Sequence, residues 1–181
     1  MTARIERLGH TLVRGTAWRS LPAAEVGDHG IASDRRWTPV RPDLTCPRAT
    51  DHPHLVRVDL GPDDLPGAAE ALHRGDELPI AYYDRTLAAR VYGGPAAERL
   101  SDALGEPVHL AHTTGSHGFI WSEPVSVLLR SELGGLPGDV DRYRANVVVD
   151  DIADPLRLAV GDHLALGRWS WRSPRSSRGV W

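Results

Sequence analysis

The chain has 181 residues, 41% of them apolar, and a formal net charge of −3. That length fits one domain, or two small subdomains sharing a core, and the slight acidity argues against a general nucleic-acid surface. Lysine is absent and all 21 basic residues are arginine, which excludes Schiff-base and lysine-base chemistry; the sole cysteine, Cys46, excludes an internal disulfide and a multi-cysteine metal site.

The opening residues, MTARIERLGHTL, lack a hydrophobic signal core, and no run approaches the ~20 apolar residues that span a bilayer. A cytoplasmic protein without a membrane partner is therefore expected. Residues 4–14 read as a strand with mixed alternation, and residues 15–20 (GTAWRS) as a turn. In residues 30–37, GIASDRRW, Gly30 permits a backbone turn that other residues resist, three charges precede Trp37, and Thr38-Pro39-Val40 reads as a strand. Prolines 39, 42, 47 and 53 break residues 38–54 into short extended pieces and turns. The alternation of LVRVDL predicts a strand over residues 55–60. Residues 61–67 read as loop, and residues 68–74 as a short helix or a decorated loop.

Two further strands, 78–83 and 86–92, flank a turn at Asp84 and Arg85. Pro95 at a first helical position, AAERLSDAL after it and then Gly105 predict a helix with both stops in place. Strands are expected over 107–111, 124–129, 147–149 and 163–171, with residues 112–118 as a polar loop and Ser131 capping a short helix through Leu136. Many short strands with one helix predict a mostly β (α+β), barrel-like architecture. The change of texture at Gly93 divides it into residues 1–92 and 93–181.

Three arginine clusters lie at turns beside predicted strands: Arg19 with Ser20, Arg35 with Arg36, and Arg142 with Arg144 and Asn146. Converging, they would bind a multiply charged anion such as a phosphate, because guanidinium groups stay protonated and grip oxyanions with a two-pronged fork. Apart, they are solvated surface charges, and spacing alone does not choose between the two. His52 and His54 around Pro53 would supply two histidines to a metal site, but no third ligand stands at matching spacing. Cys46 reads as a small, partly buried filler.

Five segments, in order along nearly the whole chain, resemble the MOSC family, the C-terminal domains of molybdenum cofactor sulfurases with their N-terminal β-barrel extension. AWRS (17–20) is similar to its P-[VI]-K-S element, with arginine for lysine, and HGIASDRRW (29–37) to its G-L-x-x-D-R-R-W element. TCPRATDHPHL (45–55) resembles T-x-R-x-x-P-x-L, GGPAAERLSDALGEPVHL (93–110) is similar to its helix-then-strand block, and RYRANVVVD (142–150) resembles R-F-R-P-N-[LI]-V-V. The resemblance implies a pocket between two barrel-like parts that holds the pterin phosphate of molybdenum cofactor, with Arg19, Ser20, Arg35, Arg144 and Asn146 on the anion.

The departures are chemical. Where the family places a metal-bound cysteine after a proline-arginine pair, Ser173-Pro174-Arg175-Ser176 puts Ser176, and a hydroxyl is a poor ligand for a thiophilic metal. The tail that closes the family's site is expected to be missing or rearranged. Trp121 replaces an acidic residue and Ala145 the proline of R-x-R-P-N. The expectation is a divergent MOSC-fold enzyme of specialised metabolism, without molybdenum, acting on an anionic or amine-bearing metabolite. Glu123 and His117 would be its acid and base, and Trp121, Ser122 and Arg142 would line the pocket. Trp169, Trp171 and Trp181 either stack on a flat ligand or plug the barrel end. Two alternatives stand beside this one: a molybdenum-cofactor protein for reduction or sulfur transfer, and a non-catalytic binding module.

Overall fold

The computed structural model describes residues 4–120, 123–133, 143–151, 163–166 and 169–172, the last two as strand backbone. Its strands in chain order are β1 (Arg4–His10), β2 (Arg19–Ser20), β3 (Val26–Gly27), β4 (Gly30–Ile31), β5 (Trp37–Val40), β6 (Glu77–Tyr82) and β7 (Arg85–Tyr92). After the helix α1 (Pro95–Leu104) come β8 (His109–Thr113), β9 (Val127–Leu129), β10 (Val147–Asp150), β11 (His163–Leu166) and β12 (Trp169–Arg172). The fold is mostly β. Among the described residues no sheet closes into a barrel, and no helix is long and apolar enough to cross a membrane.

One four-stranded sheet has the order β2-β1-β10-β9, with β10 antiparallel to β1 and parallel to β9. Val147, Val148 and Val149 are all buried, as an unbroken apolar run must be when a central strand is covered on both faces. The second sheet, β5-β8-β7-β6, is antiparallel throughout. Its successive residues serve opposite faces. Leu110 joins Leu12, Leu55, Leu60 and Leu100 under α1, while Ala111 joins Val40, Ile80, Tyr82 and Phe119 on the other side. Each fully buried leucine there contributes roughly 1.5–3 kcal/mol. Both sheets combine strands from before and after residue 92.

The helix runs from Pro95 to Leu104, and Gly105 ends it in left-handed backbone at φ 71°. The hairpin β6–β7 turns at Tyr83 and Asp84, one residue earlier than expected. Two strand expectations fail. Residues 55–60 form no strand: Pro53 opens a 3₁₀ turn over Pro53–Arg57, in which Leu55 donates to the His52 carbonyl and Val58 to that of Leu55. Leu55 and Leu60 are both buried, five residues apart, so they anchor a connection instead of alternating along a ladder.

The single strand expected over 163–171 is a hairpin, β11 against β12, with Leu166 opposite Trp169. Among the described residues Ser131 lies inside the 3₁₀ turn Arg130–Leu133, and its amide and hydroxyl both donate to Asp151, tying that turn to the end of β10; the expected helix end at Leu136 lies outside the described residues. Residues 68–75 hold two 3₁₀ turns, Ala68–Glu70 and His73–Gly75, so of the two readings of 68–74 it is the decorated loop and not the helix that forms.

The two large sheets meet through the segment after β1. Thr11 accepts from the Arg35 amide, Leu12 from that of Trp37, and Arg14 donates to the Trp37 carbonyl. Residues 11–14 thus run beside residues 35–37, the entry to β5.

Candidate functional site

The stretch before β5 begins as a small hairpin, β3 against β4, with Asp28 and His29 at its tip. Gly30 is held at φ 92°, and a Cβ there would lie 2.4 Å from the Pro124 carbonyl oxygen, so only glycine fits the turn. Arg35 takes left-handed backbone at φ 48°; its amide bonds Thr11 at 2.6 Å and its carbonyl accepts from Phe119 at 2.7 Å. Gly118 packs so closely that a Cβ would sit 2.6 Å from the Asp34 carbonyl oxygen. The stretch is therefore clamped between the segment after β1 and the loop after β8.

Asp34 is 1% exposed and sits at the centre of a polar network. Its carboxylate accepts from the Thr11 amide at 2.9 Å, Arg35 Nε at 2.8 Å and Asn146 Nδ2 at 3.1 Å, and pairs with Arg35 Nη2. Asn146 also donates to Gly9 and accepts from the amide and hydroxyl of Ser126, each at 3.0 Å. Arg144, in left-handed backbone at φ 52°, donates to Thr11 Oγ1 at 3.1 Å and to the carbonyls of Gly15 and Thr16. Its buried Nε has no partner among the described residues. Burial and then the neighbouring Arg35 cation, opposed by Asp34, lower its pKa to about 10, so it remains charged at neutral pH.

In front of Asp34 opens a cavity of about 630 Å³, walled by residues 27–34, Arg36, Trp37, His112, Ser116 and Gly118. Arg36 donates to the carbonyls of Thr113, Gly115 and Ser116 at 3.1, 2.6 and 2.8 Å, which draws the loop after β8 against the cavity. His112 stacks on Trp37 with ring centroids 4.3 Å apart. Burial, then the cations Arg36 and Arg90, push its pKa below the usual imidazole value. At the rim His29 meets His117 edge-on at 4.1 Å. Ser33 on the cavity wall lies 2.7 Å from Nδ1 of buried His10. The arrangement can hold a small polar molecule between a cation, imidazoles and carboxylates.

The expected site residues divide. Arg35, Arg144 and Asn146 come together in the network, and of that network Asp34 lines the cavity. Arg36, named with Arg35 in one of the arginine clusters but not among the residues the resemblance put on the anion, lines the cavity while Arg35 turns to Asp34. Arg19 lies on β2, paired with Asp59, beside exposed Ser20. His117 stands at the rim, and Glu123 precedes Pro124, whose carbonyl covers Gly30. Trp121, Ser122, Arg142, Ser176 and Trp181 lie outside the described residues, and Trp169 and Trp171 are described as backbone of β12. His54 bonds the Ala103 carbonyl and His52 lies 4.0 Å from Glu106; among the described residues no group of three such side chains could hold a metal. His10 and Ser33 also escaped the sequence reading, since no spacing links residues 23 apart; only the position of Ser33 inside the GIASDRRW element marked it.

The residues do not fit a thiolate-held molybdenum centre at this network. The chain's one cysteine, Cys46, lines a different cavity of about 200 Å³ with Arg14, Pro47 and Tyr82. Burial there pushes its thiol up, which favours the neutral form over a metal-binding thiolate. No family model, curated protein or solved structure matches the chain.

Proposed function

We propose that the protein is an enzyme acting on an anionic or amine-bearing small metabolite in the cavity before Asp34, a divergent MOSC-like barrel protein of the cytoplasm that works without molybdenum. One observation carries this reading: GIASDRRW, the most specific element of the resemblance, supplies both the cavity wall (Ile31, Ser33, Asp34, Arg36) and the arginine network behind it. Arg36 offers a cation to a phosphate or carboxylate, and Asp28 and Glu25 on the same wall offer carboxylates to an amine. His117 and Glu123 act at the rim as acid and base.

The test is binding and turnover with a panel of phosphorylated and carboxylated metabolites. Arg36→Ala should weaken anionic ligands by about 1.5–3 kcal/mol, the range for a charge-assisted hydrogen bond. Glu123→Gln or His117→Ala should slow turnover by ~10²–10⁴-fold. Binding without any turnover would reduce the protein to a binding module. Elemental analysis finding near one molybdenum per chain, after expression in a host that makes the cofactor, would overturn the metal-free reading.

A further inference from the structure

We propose that Ser33 is a covalent nucleophile with His10 as its general base, and that the cavity takes a small carboxylic ester or thioester carrying an anionic group. This rests on the reading of the cavity as a small-molecule site; it adds the reaction class and gives the proton transfers to His10 in place of His117 and Glu123. Ser33 Oγ and His10 Nδ1 are 2.7 Å apart, inside the distance over which a base takes a hydroxyl proton. Ser33 lines the cavity, so its oxygen meets whatever enters, while His10 is 6% exposed and sits behind it.

The fold holds the imidazole in place from both sides. His10 pairs with Arg19 across β1 and β2, and the next residue, Thr11, is bonded through its amide to Asp34. The charged groups facing the ring are Asp34, from the central turn, and Arg19, from β2. Burial, the largest influence, lowers the imidazole pKa; Asp34 opposes this and Arg19 adds to it. The ring is thus neutral at pH 7 and, with its proton on Nε2, accepts from Ser33. When the proton arrives, the Asp34 carboxylate favours the imidazolium that forms.

Atoms and electrons balance at each step. Ser33 Oγ bonds the carbonyl carbon as its proton passes to His10 Nδ1. The bond to the leaving alcohol or thiol then breaks, and that group takes the proton from Nδ1. Water adds to the acyl-Ser33 ester, giving a proton to Nδ1, and the carbon–Oγ bond breaks with return of that proton to Oγ. Ester and water become acid and alcohol, with no oxidant or cofactor consumed.

The experiment exposes the full chain to an alkyl fluorophosphonate and reads intact mass and peptide maps. One adduct per chain on Ser33 is expected, absent in Ser33→Ala. His10→Gln, if folded by circular dichroism, should slow labelling by ~10²-fold or more. If that variant does not fold, the wild-type labelling rate between pH 5 and 9 reads the same base: it should rise with pH through a midpoint below about 6.5, the ordinary imidazole value, and stay level above it. A rate still climbing at pH 9, adducts spread over several hydroxyls, no adduct, or full labelling of folded His10→Gln would each overturn the assignment. Inorganic phosphate titrated into Ser33→Ala separates the two readings. Binding there without labelling of the wild type sinks only the nucleophile, and failure of both sinks the cavity as a site.

Discussion

Removing the Asn146 side chain strips one acceptor from the Ser126 amide and hydroxyl and one donor from Gly9 and Asp34. Asn146 is 2% exposed, so the Gly9 carbonyl and one side of the Asp34 carboxylate would lose a buried donor, while Asp34 keeps the Thr11 amide and Arg35 and the exposed Ser126 can turn to water. Each such group costs about 1–3 kcal/mol, and partial rehydration recovers some of it, so Asn146→Ala should lower the unfolding free energy by about 3 kcal/mol. Urea denaturation measures this, and a loss below about 1 kcal/mol would mean that water replaces the amide without penalty. Adjacent arginines differ just as sharply. Left-handed backbone at Arg35 turns its guanidinium to Asp34 and leaves Arg36 to the cavity, so Arg35→Ala should disturb folding where Arg36→Ala disturbs ligand.

The hairpin of β3 and β4 owes its place to one glycine. Gly30→Ala would require φ 92° of an L residue and push a methyl group into the Pro124 carbonyl, so the hairpin and the Glu123–Pro124 segment must part. A loss of about 2–3 kcal/mol is expected, read as a lowered Tm, together with weaker ligand binding because the cavity wall moves. Gly27 is the control on the paired strand. Nothing lies within 4 Å of a Cβ there, so Gly27→Ala should change stability by no more than about 0.5 kcal/mol. Equal effects at the two positions would refute the close packing. The helix α1 behaves as its sequence predicts, since Pro95 and Gly105 bound it through local backbone chemistry alone.

Across the molecule, each large sheet region holds a histidine kept short of protons. His10 ends β1 and His112 lies on β8, and burial lowers both pKa values. The unfolded chain then binds more protons than the folded one just below the ordinary imidazole value of about 6.5, so stability rises with pH in that window. The contribution is complete above about 6.5 and is lost as pH falls towards the lowered folded values. Calorimetry from pH 7.5 to 5.5 should show a falling Tm, and the fall should shrink in His112→Gln; an unchanged Tm over that range would contradict it. The sheets also bind the two halves together. Because β10 lies between β1 and β9, and β5 pairs with β8, residues 1–92 and 93–181 expressed separately should each remain unfolded, by circular dichroism. A folded half would overturn this.

Local order was legible in the amino-acid sequence wherever the controlling forces are local. The bounds of α1, the strands β6 and β7 and the apolar run of β10 are set by proline, glycine and side-chain alternation within a few residues. The polar centre was legible in part: DRRW and RAN marked Arg35, Arg144 and Asn146, because charge beside a turn is visible in one dimension. What those charges face was not. LVRVDL alternates as a strand would, yet only the contact of Leu55 and Leu60 with the leucines under α1 decides that they anchor a turn. Arg36 faces the cavity because backbone strain at Arg35 rotates the next side chain away. Ser33 meets His10 because β1 and the central stretch lie together through the bonds of Thr11 to Asp34 and Arg35. Hydrogen bonds between distant segments carry no periodicity, and so the site belongs to the tertiary structure.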